Sequence, residues 1–271
     1  MARSAAGESV LSRAVRVLET FEQHNRLMTV AEIARRAKVP VPTAHRLVNQ
    51  LTDVGFLERD AENRVRIGMR LWEVAARAPR PLDLREAALP FLEDVHFVTR
   101  QHTHLDVLDG TDVLVIERLK APGAISGVAL IMGNRIPAHA GSTGLVLLAH
   151  APSELRDRVL NSALCWFNER TPVQPDRLRR LWASAREQGY LVCDGFVDSA
   201  AMSIAVPVTG PNGKVVAAIG IVIPSQGAQA MTHVKVLLAA ARGISRVLSA
   251  PGEPRKTRVA KFMPADTNNS H

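Results

Sequence analysis

Histidine and aspartate alternate in the stretch HTHLDVLDG, where His102, His104 and Asp106 occupy every second position. In a β-strand this spacing puts the three side chains on one face, where they could bind a metal ion. No further ligand of a suitable type lies nearby in the sequence, so the pattern favours a structural strand over a metal site. No metal ion or other cofactor is predicted.

Hydroxyl and thiol side chains form a second group of chemically capable residues. Ser142, Ser203 and Cys193 could act as nucleophiles with His139 as their base. No motif such as Gly-x-Ser-x-Gly surrounds them, and small hydroxyls in an apolar loop serve equally well as hydrogen-bond donors to a carboxylate. The segment AGSTG predicts a helix that begins at Ser142, and its free N–H groups favour an anion. An ordinary capped turn is the alternative.

A third group of residues is basic and lies in AEIARRAKVPVPTAHRLV, where Lys38-Val39-Pro40 separates two helical runs. In a helix-turn-helix the second helix enters the major groove with its first turn against base edges. Threonine, histidine and arginine on that turn suit bases and phosphates, and arginines on the preceding helix suit the backbone. The predicted contacts are Arg35, Arg36, Thr43, His45 and Arg46. The alternative is an ordinary antiparallel helix pair, which is common in protein cores, with these side chains facing solvent and without a function.

Capping residues and apolar periodicity predict the helices that position this group. Ser9 is the expected N-cap of a first helix, and Thr29 with Glu32 forms a capping box for the second. Pro42 suits the first position of the third helix, since its missing N–H would be unpaired there anyway. Gly55 marks the end of that helix.

The next segment, FLERDAENRVRIG, predicts a two-stranded hairpin with a turn at Ala61-Glu62-Asn63. Alternation puts Val65 and Ile67 on the core and Arg64 and Arg66 on the opposite face. Three helices followed by this hairpin predict a winged helix-turn-helix domain. We expect the two wing arginines to contact DNA.

The rest of the chain predicts a second, α/β domain. A helix from Met69 to Ala78 is expected to stop at Pro79-Arg80-Pro81, and a long helix follows from Asp83 to Arg100. Strands are predicted at HLDVLDG, DVLVIERL, SGVALIM, SIAVPV and KVVAAIGIVIP, the last two joined by the turn TGPNG. Helices are predicted at 142–150, 153–160, 176–188 and 232–248.

Charge and composition agree with this organisation. The 271-residue chain has a formal charge of +8, and residues 1–80 hold 14 Lys and Arg against 9 Asp and Glu. Residues 81–249 are nearly balanced, with 16 against 15, so the N-terminal domain is the expected polyanion-binding part. Two cysteines and no apolar run of signal-peptide or membrane-spanning length predict a cytoplasmic protein.

The sequence resembles the IclR (isocitrate lyase regulator) family of bacterial transcription regulators. The resemblance rests on LSRAVRVLETF, TVAEIARRAKVPVPTAHRLVNQLTDVGFLERD, RVRIGMRLWEVA, GNRIPAHAGSTGLVLLA, GYLVCDG and SIAVPVTGPNGKVVAAIGIV, in the family's order. It implies an α+β protein with a winged helix-turn-helix, a subunit-pairing linker helix and a GAF-like domain that binds a small effector. It also implies dimers, or tetramers of two dimers, on palindromic operators.

With this family in view, the expected domains are a DNA-binding domain at 9–68, a linker helix at 69–82, an effector-binding domain at 83–249 and a disordered tail at 250–271. The resemblance brings the AGSTG loop, the Cys193 segment and the SIAVPV strand together as an effector pocket. The expected effector-binding residues are Ile136, Gly141, Ser142, Thr143, Cys193, Ala201 and Ser203. We also expect Ile131 and Met132 to help cover the ring of an aromatic acid, as SIAVPV resembles the family branch that senses such acids.

The chain departs from the family pattern at these positions. Pro42 replaces a usual serine, Gly141–Leu145 replaces a loop that ends in lysine, and Ser203 replaces a frequent cysteine. Two functions from different classes remain open at this point: a ligand-responsive transcription regulator, and a small-metabolite enzyme with an N-terminal dimerising module. The basic recognition turn and wing favour the regulator.

Overall fold

A computed structural model of the protein describes residues 8–21, 26–77, 79–122, 131–226 and 229–250. The helices are α1 (Val10–Leu18), α2 (Val30–Ala37), α3 (Val41–Asp53), α4 (Met69–Ala75), α5 (Pro79–Thr99), α6 (Ser142–Ala149), α7 (Ser153–Leu160), α8 (Pro175–Gln188) and α9 (Ala230–Ser249). The strands are β1 (Leu57–Arg59), β2 (Val65–Ile67), β3 (His102–Asp109), β4 (Asp112–Leu119), β5 (Arg135–Pro137), β6 (Leu191–Asp194), β7 (Ala201–Thr209) and β8 (Val215–Pro224). In the described ranges, no helix combines the length and apolarity needed to cross a membrane.

The N-terminal unit packs α1, α2 and α3 around a small core. Ser9 caps α1, and the predicted capping box of Thr29 and Glu32 opens α2. The core contains Val17, Ile33, Leu47, Leu57 and Val65. These apolar positions have helical or strand periodicity, which explains why sequence periodicity predicted this unit.

The predicted hairpin forms, with β1 antiparallel to β2 and Asn63 in the turn at a φ of 62°. Val65 is buried, and its backbone also pairs with Met28, which lies before α2. The prediction that Ile67 points into the core is wrong, because its side chain is 38% exposed. The strand ends at Ile67, so the alternation of buried and exposed side chains does not continue to this residue.

The connection to the second unit also differs from the prediction. The helix α4 ends at Ala75, and α5 begins at Pro79, so the expected break at Pro79–Pro81 lies in the first turn of a helix. Proline is tolerated in a first turn because the N–H that it lacks has no partner there. Ala78 and residues 251–271 of the predicted tail at 250–271 lie outside the described residues.

The C-terminal unit is built on an antiparallel sheet with strand order β5-β4-β3-β8-β7-β6. One face packs against α6 and α8, and the other packs against α5 and α9. Neighbouring residues of β8 alternate between these two cores, as a strand buried on both faces requires. The α+β class predicted from the sequence is confirmed.

Several local predictions are confirmed as well. The turn TGPNG joins β7 to β8, and Gly189 ends α8 with a φ of 75°. The strand predicted at SGVALIM is not testable over residues 126–130, which lie outside the described residues, whereas Ile131 and Met132 belong to no strand. The short strand β5 was not predicted.

Candidate DNA interface and effector site

One face of α3 is exposed along its length. Ala44, Leu47 and Val48 are buried against the core, and the opposite side presents a polar stripe at helical spacing. That stripe contains His45, Arg46, Asn49 and Gln50, and Pro42 is exposed at its N-terminal end. Asn49 and Gln50 were missed in the sequence, although their spacing of three and four residues from His45 and Arg46 is a usable signal. Amide side chains of this kind read adenine edges in the major groove.

The remaining predicted contacts of the helix-turn-helix lie around this stripe. Thr43 is half-buried and lies at the border of the exposed face, while Arg35 and Arg36 are exposed in the last turn of α2. The turn between the helices uses Lys38 in the left-handed region at a φ of 52°. Cations at these positions can contact phosphates on either side of a groove.

The wing arginines are already engaged by carboxylates. Arg64 pairs with Asp60 and Glu62, each at 2.8 Å, and Arg66 pairs with Glu58 at 3.0 Å. A hydrogen bond from the Met69 backbone N–H, followed by one from Arg66, lowers the pKa of Glu58. The wing is therefore closer to neutral than its arginines alone suggest.

Asp60 and Arg59 connect the wing to its surroundings. Partial desolvation raises the pKa of Asp60, but hydrogen bonds from Arg64 outweigh it, so the net pKa is lowered. Arg59 donates to the side chains of Asn63 at 2.7 Å and Asn49 at 2.9 Å. The bond to Asn49 joins the wing to the exposed stripe of α3.

A buried polar cluster lies where β3 meets the start of α6. The His104 ring contacts the Asp106 carboxylate through Nδ1 at 3.0 Å, and Thr143 Oγ1 donates to the same carboxylate at 2.6 Å. His104 is 3% exposed and Asp106 is 0% exposed. The sequence placed both residues on one strand face but did not assign them to the effector site.

The first turn of α6 lacks a capping side chain. Gly141 is its N-cap and cannot cap with a side chain, and every residue from Ser142 to Ala149 is buried. The Ser142 hydroxyl has no hydrogen-bond partner within the described part of the chain. Buried donors of this kind require an acceptor, and a carboxylate is the group that suits a helix N-terminus.

The other predicted effector residues lie on neighbouring strands of the same unit. Cys193 on β6 is directly opposite Ser203 on β7, and Ala201 begins that strand. Ile136 on β5 is buried in the core that also contains Cys193. The helix α6 contacts both β6 and β7, and the same core includes residues of these two strands.

The two residues expected to cover the ring of the effector differ in their exposure to solvent. Ile131 is half-buried, but Met132 is 48% exposed, so the structure does not place Met132 over an apolar ring. Two open clefts of about 520 and 530 Å³ lie elsewhere, the first beside the end of α5 and the second between α1 and α2. Neither is lined by a predicted effector residue.

Two family models match the chain. The model described as "Bacterial transcriptional regulator IclR C-terminal" matches residues 77–249, and the model described as "IclR helix-turn-helix domain" matches residues 10–61. The protein belongs to the IclR family. The XynR and Pca regulon regulatory proteins, which this chain resembles, are transcription regulators, so the regulator prediction is confirmed over the enzyme.

Several IclR-family proteins are similar over most of the chain. The regulator XynR of Escherichia coli is 28% identical, over 78% of this chain and 84% of XynR. The Pca regulon regulatory protein of Pseudomonas putida is also 28% identical, over 78% of this chain and 72% of that protein. A solved structure of an IclR homolog from Microbacterium hydrocarbonoxydans in complex with 4-hydroxybenzoate is 44% identical, covers 89% of this chain and 100% of the homolog, and has a TM-score of 0.82.

The side chains considered as nucleophiles also fail to form a catalytic arrangement. His139 Nε2 contacts the Cys165 carbonyl at 2.8 Å rather than a hydroxyl or thiol. Burial strongly raises the pKa of the Cys193 thiol, against a smaller lowering by its hydrogen bond with Ser203. A thiol held protonated is a poor nucleophile.

The two histidines considered as metal ligands make hydrogen bonds within the protein. His102 Nδ1 accepts a hydrogen bond from the Ala121 N–H at 3.0 Å, while His104 Nδ1 faces Asp106. The described residues contain no cluster of three or more side chains that could hold a metal ion. The IclR-family chain thus presents an exposed polar face on α3 and a buried polar cluster at α6.

Proposed function

We propose that this IclR-family regulator binds a palindromic operator in the cytoplasm and responds to an aromatic carboxylate bound at the start of α6. The uncapped and buried N-terminus of α6, with the unpartnered hydroxyl of Ser142 in the described structure, is the observation that carries the effector site. The proposed units are a DNA-binding domain at 9–68, a linker at 69–82 and an effector-binding domain at 83–249.

The DNA contacts divide into base readers and phosphate binders. Exposure and position on α3 support His45, Arg46, Asn49 and Gln50 as base readers. Phosphate contact is proposed for the residues at the edges of that face, namely Arg35, Arg36, Thr43, Arg64 and Arg66. Their cationic and hydroxyl groups would set the position of the domain on the duplex.

The effector site is proposed around the first turn of α6. The carboxylate would accept hydrogen bonds from Ser142 Oγ and the free N–H groups, with Gly141 and Thr143 shaping the turn. Ile136, Cys193, Ala201 and Ser203 would form the wall around the ring. An aromatic acid is favoured because the similar Microbacterium homolog binds 4-hydroxybenzoate.

A homodimer, or a tetramer of two dimers, is proposed from exposed apolar side chains. No residue of α4 is buried, and Trp72 is 65% exposed beside the exposed Met69 and Val74. A helix with this composition can pair with a copy of itself, and a two-fold protein matches a palindromic site. Light scattering of the full chain at micromolar concentration should give at least the dimer mass, and a monomer would contradict the proposal.

Operator binding in the presence of acids tests the whole proposal. Fluorescence anisotropy would follow binding of the full chain to duplex DNA from upstream of its own gene, with and without a panel of benzoates and short keto acids. We expect one or more benzoates to change the operator affinity.

Calorimetry tests the position of the effector site. The Ser142→Ala/Ser203→Ala variant should bind that benzoate more weakly than wild type, while Ser153→Ala, an exposed control, should bind it normally. Unchanged affinity in the double variant would place the site elsewhere.

A further inference from the structure

His104 presents one ring nitrogen to Asp106 and leaves the other without a partner. Nδ1 lies 3.0 and 3.1 Å from the two Asp106 oxygens, whereas Nε2 is buried with no hydrogen-bond partner among the residues described. Thr143 Oγ1 donates a third contact to Asp106 at 2.6 Å. The carboxylate thus receives all the hydrogen bonds of this cluster.

The bond to Asp106 decides which nitrogen of the neutral ring carries the hydrogen. A carboxylate only accepts hydrogen bonds, so Nδ1 of His104 must be the donor. The hydrogen bond made by one nitrogen fixes the tautomer, and it leaves a lone pair on Nε2. The unpartnered atom of His104 is therefore an acceptor that requires an external donor.

This acceptor lies beside the proposed effector site. A Cβ built on Gly220 would lie 2.9 Å from His104 Nε2 and 2.8 Å from Thr143 Cγ2, so the ring and the Thr143 methyl group cover the same glycine. Thr143 follows Ser142 in the first turn of α6. The ring consequently lies within one side-chain length of the uncapped helix start.

Two further side-chain atoms without a partner in the described structure are donors, one on α6 and one on β4. Ser142 Oγ is buried without a partner in the described structure, and so is Nε of Arg118, whose Cα pairs with that of His104 across β3 and β4. The first-turn N–H groups of α6 are donors too. These groups suit a carboxylate, whereas His104 Nε2 suits a hydroxyl.

We propose that His104 accepts a hydrogen bond from a hydroxyl group of the effector, and that Asp106 and Thr143 are positioning residues that orient its ring. The preferred ligand is then a hydroxy-substituted aromatic acid, with its carboxylate at the start of α6 and its hydroxyl at Nε2. This inference rests on the proposed function and names the ligand class and the residue that selects it.

Calorimetric titration of the full chain tests the assignment by selectivity rather than by affinity alone. The ligands are benzoate, 3-hydroxybenzoate, 4-hydroxybenzoate and 4-methoxybenzoate, of which the last has an oxygen but no hydrogen to donate. We expect wild type to favour the better hydroxybenzoate over benzoate and 4-methoxybenzoate by about tenfold or more, because a site built for a hydroxyl rejects analogues without one.

His104→Asn is the informative variant. The asparagine amide can still donate to Asp106, as Nδ1 does, but it has no group at the position of Nε2. We expect the preference for the hydroxybenzoate to fall to about one. Asp106→Asn should reduce the preference for the hydroxybenzoate as well. In the His104→Asn background the same substitution should cause no further reduction. His150→Asn, at the opposite end of α6, serves as the control.

Each outcome separates this inference from the proposed function. A variant that is merely damaged would bind all the acids more weakly in the same proportion, and that result would overturn the role of His104 in selecting a hydroxyl. Retention of the wild-type preference in His104→Asn would overturn it too. If wild type binds none of the aromatic acids, the proposed aromatic effector is wrong and the inference falls with it.

Discussion

Two helices of this protein, α3 and α6, both begin without a capping side chain, and their surroundings are opposite. Pro40 and Gly141 are their N-cap residues, and neither provides a side-chain hydrogen bond. The start of α3 is exposed at Val41 and Pro42, so its free N–H groups are open to solvent. The start of α6 is buried together with the rest of that helix.

The difference shows how the same local feature serves two kinds of ligand. At α3 the free N–H groups and the exposed side chains cost little without DNA, and they suit a large polyanion that arrives from solvent. At α6 the donors are already desolvated, so leaving them unpaired costs free energy that a small ligand can recover. An exposed site suits a macromolecule, and a buried one suits a small acid.

The strongest way to break this comparison is to push the start of α6 out of position. A Cβ at Gly144 would lie 2.2 Å from the carbonyl oxygen of Ala138 and 2.6 Å from its Cα. We expect Gly144→Ala to destabilise the C-terminal unit by about 3 kcal/mol and to abolish acid binding, because backbone cannot yield as a side chain can. Thermal unfolding followed by circular dichroism measures the loss.

The control lies three residues earlier in the same segment. A Cβ at Gly141 meets nothing within 4 Å, so Gly141→Ala should unfold close to the wild-type temperature. Equal stability of the two variants would show that the contact between Ala138 and Gly144 does not position α6.

A substitution on α3 should show the reverse pattern. Arg46→Ala removes an exposed side chain, so we expect normal folding and normal acid binding but an operator affinity lower by about tenfold or more. Arg179→Ala removes an exposed arginine of the C-terminal unit and is the matched control. If both variants bind the operator alike in an anisotropy titration, α3 does not read the DNA.

The contrast also explains what the sequence predicted well. Capping at Thr29, the periodicity of α3 and the alternation in the wing are local patterns, and they predicted the winged helix-turn-helix. The predicted base contacts covered only the first turn of α3, so they did not include Asn49 and Gln50. The start of α5 was misplaced because Pro79 and Pro81 favour a break or a first turn equally.

The buried site was harder to predict for a physical reason. His104 and Thr143 are 39 positions apart in the numbering, and only the sheet and α6 bring them to one glycine, Gly220. The sequence indicated the face of β3 that carries His104 and Asp106, but it favoured a structural strand there and did not assign these residues to a ligand site. Which polar atoms remain unpartnered depends on packing, which no local pattern encodes.

The wing offers a sharper test of the exposed region. Replacing Arg64 and Arg66 by alanine should lower the salt dependence of operator binding by about one unit for each lost phosphate contact. The loss of affinity should be smaller than for Arg46→Ala, because Asp60, Glu62 and Glu58 already offset the wing arginines. Binding measured over a range of salt concentrations gives the slope.

A charge change of opposite sign checks the same assignment. Glu62 is exposed and pairs with Arg64, so Glu62→Gln should strengthen operator binding by releasing that arginine. An unchanged salt slope in the double arginine variant, together with no effect of Glu62→Gln, would remove the wing from the interface.

The smallest expected effect concerns acid stability, in which the two regions respond over different pH ranges. In the N-terminal unit, hydrogen bonds lower the pKa of the carboxyls of Glu32 and Glu58 below 4.5. In the C-terminal unit, burial lowers the pKa of His139, His150 and His233 below 6.5. A lowered pKa means that the unfolded state binds more protons, so the stabilisation is present above the unfolded value and is lost as the pH falls through the folded one.

Acidification from pH 7 to 5 should therefore weaken the C-terminal unit before the N-terminal one. His139 precedes α6, and burial lowers its pKa more than its contact with the Cys165 carbonyl raises it. We expect His139→Gln to flatten the decline of the unfolding temperature over this range, with the remaining slope due to His150 and His233. Circular dichroism melts at several pH values measure it. If the unfolding temperature of His139→Gln falls with pH as steeply as that of wild type, protonation of this histidine is not coupled to folding. The burial of His139 would then contribute nothing to the acid sensitivity of the unit that holds the proposed effector site.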